Sequence, residues 1–445
     1  MIVYDISIID LFISLMYIIL ILIGANFLKP NKKFAYARFF MPYLYTKIGF
    51  AVLFVLIHSY YYKGGDTYLY FNGGKFIAEQ IINRPDLALK YLFSSYMNFQ
   101  ELPLSSGFDV NFFKSTDVFL MSKLTSIFSL ICFNQFMASS ILFSIFSAFG
   151  IWKLFKTLCS LYPSIDKYFA IGILFYPTIG IWGSGILKDP LALSAVGYIF
   201  NAIYLLFQKR KIVTSTIYIL ISIYICVILK PYILYTFIPV MLLWFQGNLS
   251  KRLKNRFVRF VITPLVIVLF FTAGYFTIQS ISESAGKYSL DNVQSVAEGF
   301  HSWHTYLAET RNQSGYNLGE VEFTFTGILE KSPAAIVVTF FRPFIFTDVR
   351  NVATGFEAIQ SFILLLITIY VIIKVKIWNF FKILFTNNDC RAFMLFALIF
   401  GISVGLTSYN FGALSRYKIP CLPFFTSSLA IIYFQGVRKL SPKFL

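Results

Sequence analysis

Long apolar runs recur from one end of this chain to the other, and that recurrence restricts the fold more than any motif does. A helix crossing the hydrocarbon core of a bilayer needs roughly 20 apolar residues. The sequence supplies such runs near 8–28, 46–62, 136–157, 168–185, 189–207, 212–229, 231–246, 257–279, 354–376, 391–409 and 418–435. The pattern predicts an all-α polytopic membrane protein of about eleven spans, with two long extracytoplasmic loops carrying short amphipathic helices. Composition agrees: 58% of the 445 residues are hydrophobic and 13% are charged, about half the charged share of a soluble domain. Strands of alternating polarity are not evident, which argues against a barrel. Two further apolar stretches, 117–133 and 333–347, are interrupted by Ser122, Lys123 and Ser126 and by Thr339, Arg342 and Pro343. They read as interfacial or re-entrant helices, with a full span as the alternative.

The organisation that follows is 1–62, N-terminal spans; 63–135, a first extracytoplasmic loop with interfacial helices; 136–279, a central helical bundle; 280–353, a second extracytoplasmic loop; and 354–445, C-terminal spans. The first apolar run is too long for a signal-peptide core and carries Asp5 and Asp10 at its start, so it reads as a retained span. The five cysteines are scattered without a CxxC pair, so neither a disulfide framework nor a zinc site is indicated. His301 and His304, three apart beside Trp303, read as surface residues. The Asn312-Gln313-Ser314 sequon reads as incidental.

The net charge of +18 would suggest nucleic acid in a soluble protein; here its distribution matters more. Lys29, Lys32, Lys33 and Arg38 follow the first span, which puts that loop in the cytoplasm and the N-terminus outside. Alternating from there gathers Lys153/Lys156/Lys167, Lys209/Arg210/Lys211, the Lys251–Arg259 cluster, Lys374/Lys376/Lys382/Arg391 and the Arg438/Lys439/Lys443 tail inside. The cytoplasmic side then holds about 22 bases and 2 acids, the outer side about 15 bases and 18 acids. The expected setting is the inner (cytoplasmic) membrane, multi-pass, with a cytoplasmic C-terminus.

Several groups with chemical potential share the outer side. Asp66 follows Gly64-Gly65 and precedes Tyr68, Tyr70 and Asn72; it reads either as a general base for a hydroxyl or as a helix-capping aspartate. The segment Phe71 to Ile82 predicts an amphipathic helix. Trp182-Gly183-Ser184-Gly185-Ile186-Leu187-Lys188-Asp189-Pro190 predicts a break in the span 168–185, with Lys188 and Asp189 at its mouth. Broken helices are tolerated where their backbone lines a cavity; a snorkelling lysine beside a helix-start aspartate is the plainer alternative. Lys230 sits in a hairpin beside Pro231 and Tyr232. Arg342, with Asp348 and Arg350 beyond it, is expensive in an interfacial helix unless it meets an anion. The last hairpin offers Asn410, Arg416, Tyr417 and Lys418. One acid with several bases suits a substrate carrying a phosphate at headgroup level and a hydroxyl to activate. GxGxxG, Walker, G-x-S-x-G and HExxH patterns are absent, so nucleotide-dependent chemistry is not indicated.

These features resemble the membrane-embedded glycosyltransferases of the GT-C superfamily, which use polyprenyl-phosphate sugars. The resemblance rests on Gly65-Asp66-Thr67-Tyr68, the Trp182–Pro190 turn and Ser415-Arg416-Tyr417-Lys418-Ile419-Pro420 with Leu422-Pro423. It implies Asp66 as catalytic base, with Lys188 and Arg416 holding the donor phosphate. In that group the acid usually follows the first span and has a second carboxylate close by; here it follows the second, and no acid adjoins it in sequence. The Wzy/EpsG-like polysaccharide polymerases show nearly the same profile. The implied partners are a lipid-linked sugar donor, a glycan or lipid acceptor and membrane lipids, with no nucleic acid. No cofactor is called for, and a divalent metal is not indicated. A transporter or flippase of lipid-linked glycans is a further alternative; it would carry charge at the bilayer midplane, and most of the runs carry none away from their ends.

Overall fold

The computed structural model describes residues 6–252, 314–319, 321 and 325–438, with the single positions 268, 299, 302 and 306. The expected span 257–279, most of the Lys251–Arg259 cluster, His301, His304, the first two sequon residues, much of the loop 280–353, and Lys439 and Lys443 lie outside the described residues.

Among the described residues the chain is helical, and its only strand-like pairing is an isolated bridge between Gly315 and Asn410. In chain order the α-helices are α1 (Ile8–Leu28), α2 (Phe40–Leu56), α3 (Asp66–Asn83), α4 (Ala88–Phe93), α5 (Tyr96–Gln100) and α6 (Thr116–Ile131). Next come α7 (Phe136–Leu161), α8 (Asp166–Phe169), α9 (Pro177–Trp182), α10 (Lys188–Phe207), α11 (Ile212–Leu229) and α12 (Pro231–Arg252). The series closes with α13 (Phe325–Phe341), α14 (Val352–Val375), α15 (Ile377–Thr386), α16 (Asn388–Thr407), α17 (Phe411–Tyr417) and α18 (Leu422–Arg438). Among the described residues, seven helical stretches are long and apolar enough to cross a membrane, or eight if α17 and α18, bent by 67°, form one broken span. The chain therefore has the character of a multi-pass membrane protein. The run 168–185 is not one helix: it divides into α8, a π-helical turn over Ala170–Leu174 and α9. The two interrupted stretches become α6 and α13, of 16 and 17 residues.

The chain forms two compact units, residues 1–152 with 180–194, and residues 153–179 with 195–445. In the first unit, Asp10 at the start of α1 accepts the backbone N–H groups of Met137 (2.9 Å) and Ala138 (3.1 Å). A carboxylate is thereby spent on the otherwise unsatisfied donors at the head of α7. Helices α3 and α6 run antiparallel: Tyr68 stacks on Phe136 just beyond α6, while Phe76 meets Phe113 just before it. Their backbones approach closely because Gly73 and Gly74 lack side chains. A Cβ at Gly73 would lie 2.4 Å from Ser122 Oγ, and one at Gly74 2.7 Å from Thr125. Phe76, Ile77, Ile81, Tyr91, Phe99, Phe113 and Phe119 build a separate core beneath residues 84–115, and the stretch 63–135, expected as a loop carrying short helices, holds α3 to α6. Each buried aromatic contributes about 1.5–3 kcal/mol through area removed from water.

In the second unit, Phe424 of α18 meets the rings of Phe200, Phe237, Phe393 and Phe396 at 5.1–5.7 Å. Asp389, in the first turn of α16, accepts hydrogen bonds from Tyr162 Oη and Trp244 Nε1, both at 2.7 Å. Asn388 beside it donates to the Trp244 carbonyl at 2.8 Å. This polar knot satisfies a carboxylate that is only 4% exposed, as buried charge requires.

Candidate functional site

The first unit assembles its polar groups around two backbone irregularities. One is the turn before α3. A π-helical stretch (Ile57–Tyr62) ends at Lys63, whose φ of 47° is left-handed, and Gly65 has φ 115°. Only glycine tolerates that second angle easily, and it delivers Asp66 into the first turn of α3, whose dipole favours a carboxylate. The predicted amphipathic helix thus begins five residues earlier than expected, at Asp66 itself. A Cβ on Gly65 would come within 3.3 Å of the His58 ring. His58 is buried, its Nδ1 lies 2.9 Å from the Phe54 carbonyl, and its ring is met edge-on by Trp182 at 6.1 Å. Ser59 and Tyr68 share a hydrogen bond of 2.8 Å between hydroxyls. Trp182 and Tyr68 therefore both lodge against the turn that presents Asp66.

The second irregularity is the expected break, residues 183–187, between α9 and α10. Its backbone groups find side-chain partners. Lys47 of α2, buried within the apolar run Ala35–Tyr62, donates to the Gly183 carbonyl. Ser147 Oγ donates to the same oxygen at 3.4 Å, and Ser144 Oγ accepts the Gly185 N–H at 2.7 Å. Gly185 has φ 73°, and a Cβ there would stand 2.0 Å from the Phe54 ring. The break sets Lys188 at the start of α10, where its Nζ lies 2.5 Å from Asp117 Oδ2 and 5.5 Å from the Tyr70 ring centroid.

Lys188 thus pairs with Asp117 of α6, an acid the sequence reading passed over. Tyr70 follows Asp66 by one helical turn, so the two stand on the same side of α3. Asp66, Tyr68, Tyr70, Trp182, Lys188 and Asp189 all belong to this unit, and His58, Asp117 and Lys47 join them. Asp117 was legible only as an acid opening an apolar stretch; Lys47, a base inside a span, was the stronger missed signal.

The remaining predicted residues belong to the second unit. Arg342 holds Asp348 through a two-pronged pair, Nε to Oδ2 at 2.8 Å and Nη2 to Oδ1 at 2.6 Å. Its guanidinium also lies 5.5–5.8 Å from the rings of Tyr316, Phe344 and Phe411. Burial works against the Asp348 carboxylate; hydrogen bonds from Arg342 and the Phe344 N–H outweigh it and hold Asp348 below its usual range. The sequence had placed Asp348 near Arg350, but its bonds go to Arg342. Arg350 instead donates its N–H to Thr354 Oγ1 at 3.2 Å. Asn410 caps α17, accepting from the N–H groups of Gly412 (2.7 Å) and Ala413 (3.2 Å). Lys230 Nζ sits 4.6 Å from the Tyr417 ring, while Arg416 is the basic residue in the last turn of α17.

Lys418 is 2% exposed and its Nζ lies 3.9 Å from Glu357 Oε2 on α14. Glu357 and Gln360 also clasp Thr178. The Thr178 N–H donates to Gln360 Oε1 at 2.9 Å, and its hydroxyl lies 3.2 Å from both Glu357 oxygens. Glu357 was visible in the sequence as an acid inside the run 354–376, and its partners were not.

Among the described residues no group of three or more His, Cys, Asp or Glu side chains is arranged to hold a metal ion. No family model matches the chain, and no curated protein or solved structure was found to resemble it.

Proposed function

We propose that this protein is an integral membrane glycosyltransferase that transfers a sugar from a polyprenyl-phosphate-linked donor at the outer face of the cytoplasmic membrane, in cell-surface glycan synthesis. The observation that carries the reading is the grouping in one unit of Asp66 at a helix start, Tyr68 and Trp182 around its turn, and Lys188 between Tyr70 and Asp117. Asp66 would accept the proton of an acceptor hydroxyl as its oxygen bonds to the anomeric carbon. The bond from that carbon to the phosphate oxygen breaks, and the leaving phosphate keeps the electron pair. Lys188 would neutralise the charge that develops there; an ammonium has three donors and divides them between Asp117 and an anion. Trp182, which is partly exposed, would offer a flat apolar face to a sugar ring, and Tyr70, buried beside Lys188, would hold that ammonium in place.

The test is Asp66→Asn in membranes supplied with a labelled polyprenyl-phosphate sugar. Transfer falls by roughly 100-fold or more if Asp66 is the base, with the protein folded and expressed as before and partial recovery in Asp66→Glu. Undiminished transfer by a folded Asp66→Asn protein overturns the assignment. The polymerase alternative predicts loss of the long-glycan ladder with a single repeat unit still made; a truncated repeat favours the transferase.

A second reading, a carrier of lipid-linked anionic solutes, is favoured by one observation: Lys47 is buried within the apolar run Ala35–Tyr62, and Glu357, inside the apolar helix α14, meets buried Lys418 in the turn between α17 and α18. Movement of a labelled lipid-linked glycan across sealed vesicles without any sugar transfer would select it.

A further inference from the structure

Helix α15 divides its circumference in three. Phe380, Ile383 and Leu384 turn toward α16 and α18, against which the helix packs. Ile377, Trp378, Phe381 and Phe385 occupy an adjoining arc of roughly 100°, and all four are exposed, Trp378 by 85%. Asn379, Lys382 and Thr386 fill the remaining arc and are also exposed. With 10 residues the helix is about 15 Å long, half the thickness of a bilayer core. It cannot span, yet it joins α14 and α16, two helices apolar enough to do so. Its ends therefore lie at the membrane surface where α14 finishes and α16 begins.

Charge identifies the occupant of the exposed arc. Lys374 and Lys376 precede the helix, Lys382 lies on its polar arc and Arg391 follows it. Residues 358–445 contain nine bases and a single acid, Asp389, and that acid is committed to Tyr162 and Trp244. An aromatic arc beside a basic one, in a stretch of sequence whose single acid is already engaged, matches the chemistry of an anionic lipid surface.

We propose that α15 is an interfacial helix that recruits anionic phospholipid. Trp378, Phe381 and Phe385 enter the boundary between acyl chains and headgroups, and Lys374, Lys376 and Lys382 contact the headgroup phosphates. By the charge distribution this surface is the cytoplasmic one. The inference stands on the multi-pass architecture and does not depend on sugar transfer.

Tryptophan quenching by brominated lipids tests it on the full chain reconstituted in phosphatidylcholine bilayers doped with brominated phosphatidylglycerol or brominated phosphatidylcholine. The difference between wild type and Trp378→Phe isolates the signal of Trp378. That signal should be quenched by both lipids and more strongly by the anionic one. Each juxtamembrane lysine adds about fivefold to the association of anionic lipid. The variant carrying Lys374→Gln, Lys376→Gln and Lys382→Gln should therefore lose the preference while keeping the quenching. No quenching of Trp378, equal quenching by the two lipids in wild type, or an unchanged preference in the lysine variant each overturns the proposal. So does quenching that appears only on dilution of the protein in the bilayer, because a second copy would then cover the arc. Since Trp378→Phe retains a ring and the lysines are exposed, melting in phosphatidylcholine alone should match wild type in all variants.

Discussion

Two acid–base pairs, one in each unit, look alike in exposure and differ in what their geometry permits. The side chains of Lys188 and Asp117 are 17% and 9% exposed, those of Arg342 and Asp348 20% and 6%. Lys188 is a point charge on a flexible stem beside the Tyr70 ring. Arg342 is a planar fork whose Nε and Nη2 both go to one carboxylate, and its backbone carbonyl also accepts from Ser361 at 2.9 Å. A fork committed to both carboxylate oxygens fastens a loop. A lysine sharing one carboxylate suits a site that exchanges partners. Arg342 therefore makes a two-pronged bond to its acid, and Lys188 Nζ a single-atom contact at 2.5 Å to its own.

The largest effect expected is at the break that positions Lys188. Gly185→Ala adds a Cβ 2.0 Å from Phe54 at a φ of 73°. Overpacking and left-handed strain together cost about 3 kcal/mol or more, read as a lowered midpoint in thermal unfolding in detergent. Normal melting of this variant would show that the break is not as tightly set as described.

Exchanging the two cations sharpens the comparison next. Arg342→Lys should cost about 2 kcal/mol, because a lysine cannot reproduce the double bond to Asp348. Lys188→Arg should cost less than that in stability and be seen mainly in transfer. A larger stability loss at Lys188 than at Arg342 would reverse the roles assigned to them.

Acid titration follows. Asp348 titrates below its ordinary value in the folded protein, so the pair adds stability above the unfolded carboxyl pKa of about 3.9. That contribution is lost as pH falls through the lower folded value. Asp348→Asn should therefore melt lower than wild type at pH 7 and approach it toward pH 3. A gap independent of pH would remove the electrostatic account.

The smallest effect is at Arg84 and Asp86, which form a 2.9 Å pair with side chains 51% and 58% exposed. Exposed pairs contribute little, and Arg84→Ala should leave the melting profile unchanged. A clear shift would show that exposure is a poor guide to which of these pairs matter.

What was legible in the sequence is what depends on local periodicity and composition. The apolar runs at 8–28, 136–157, 189–207, 212–229, 354–376 and 391–409 all lie on helices with nearly those bounds, since a helix solvated by lipid must be apolar along its whole length. The break at 183–187 was legible too, because proline, glycine and serine interrupt helical hydrogen bonding in any setting. The fold of residues 84–115 was less so: short aromatic segments carry no clear period, and their core forms only when Phe76, Phe99, Phe113 and Phe119 meet.

Pairing was decided by tertiary structure alone. Asp117 lies 71 residues from Lys188, Glu357 lies 179 from Thr178, and Asp348 bonds to Arg342 although Arg350 is nearer in sequence. A charge buried by folding takes whichever partner the packed helices bring within about 4 Å, and no property of the single residue encodes that choice. The sequence by itself determined that this chain belongs in a membrane and which residues bear charge there. Only the packing of the helices decided which acid each of those bases meets.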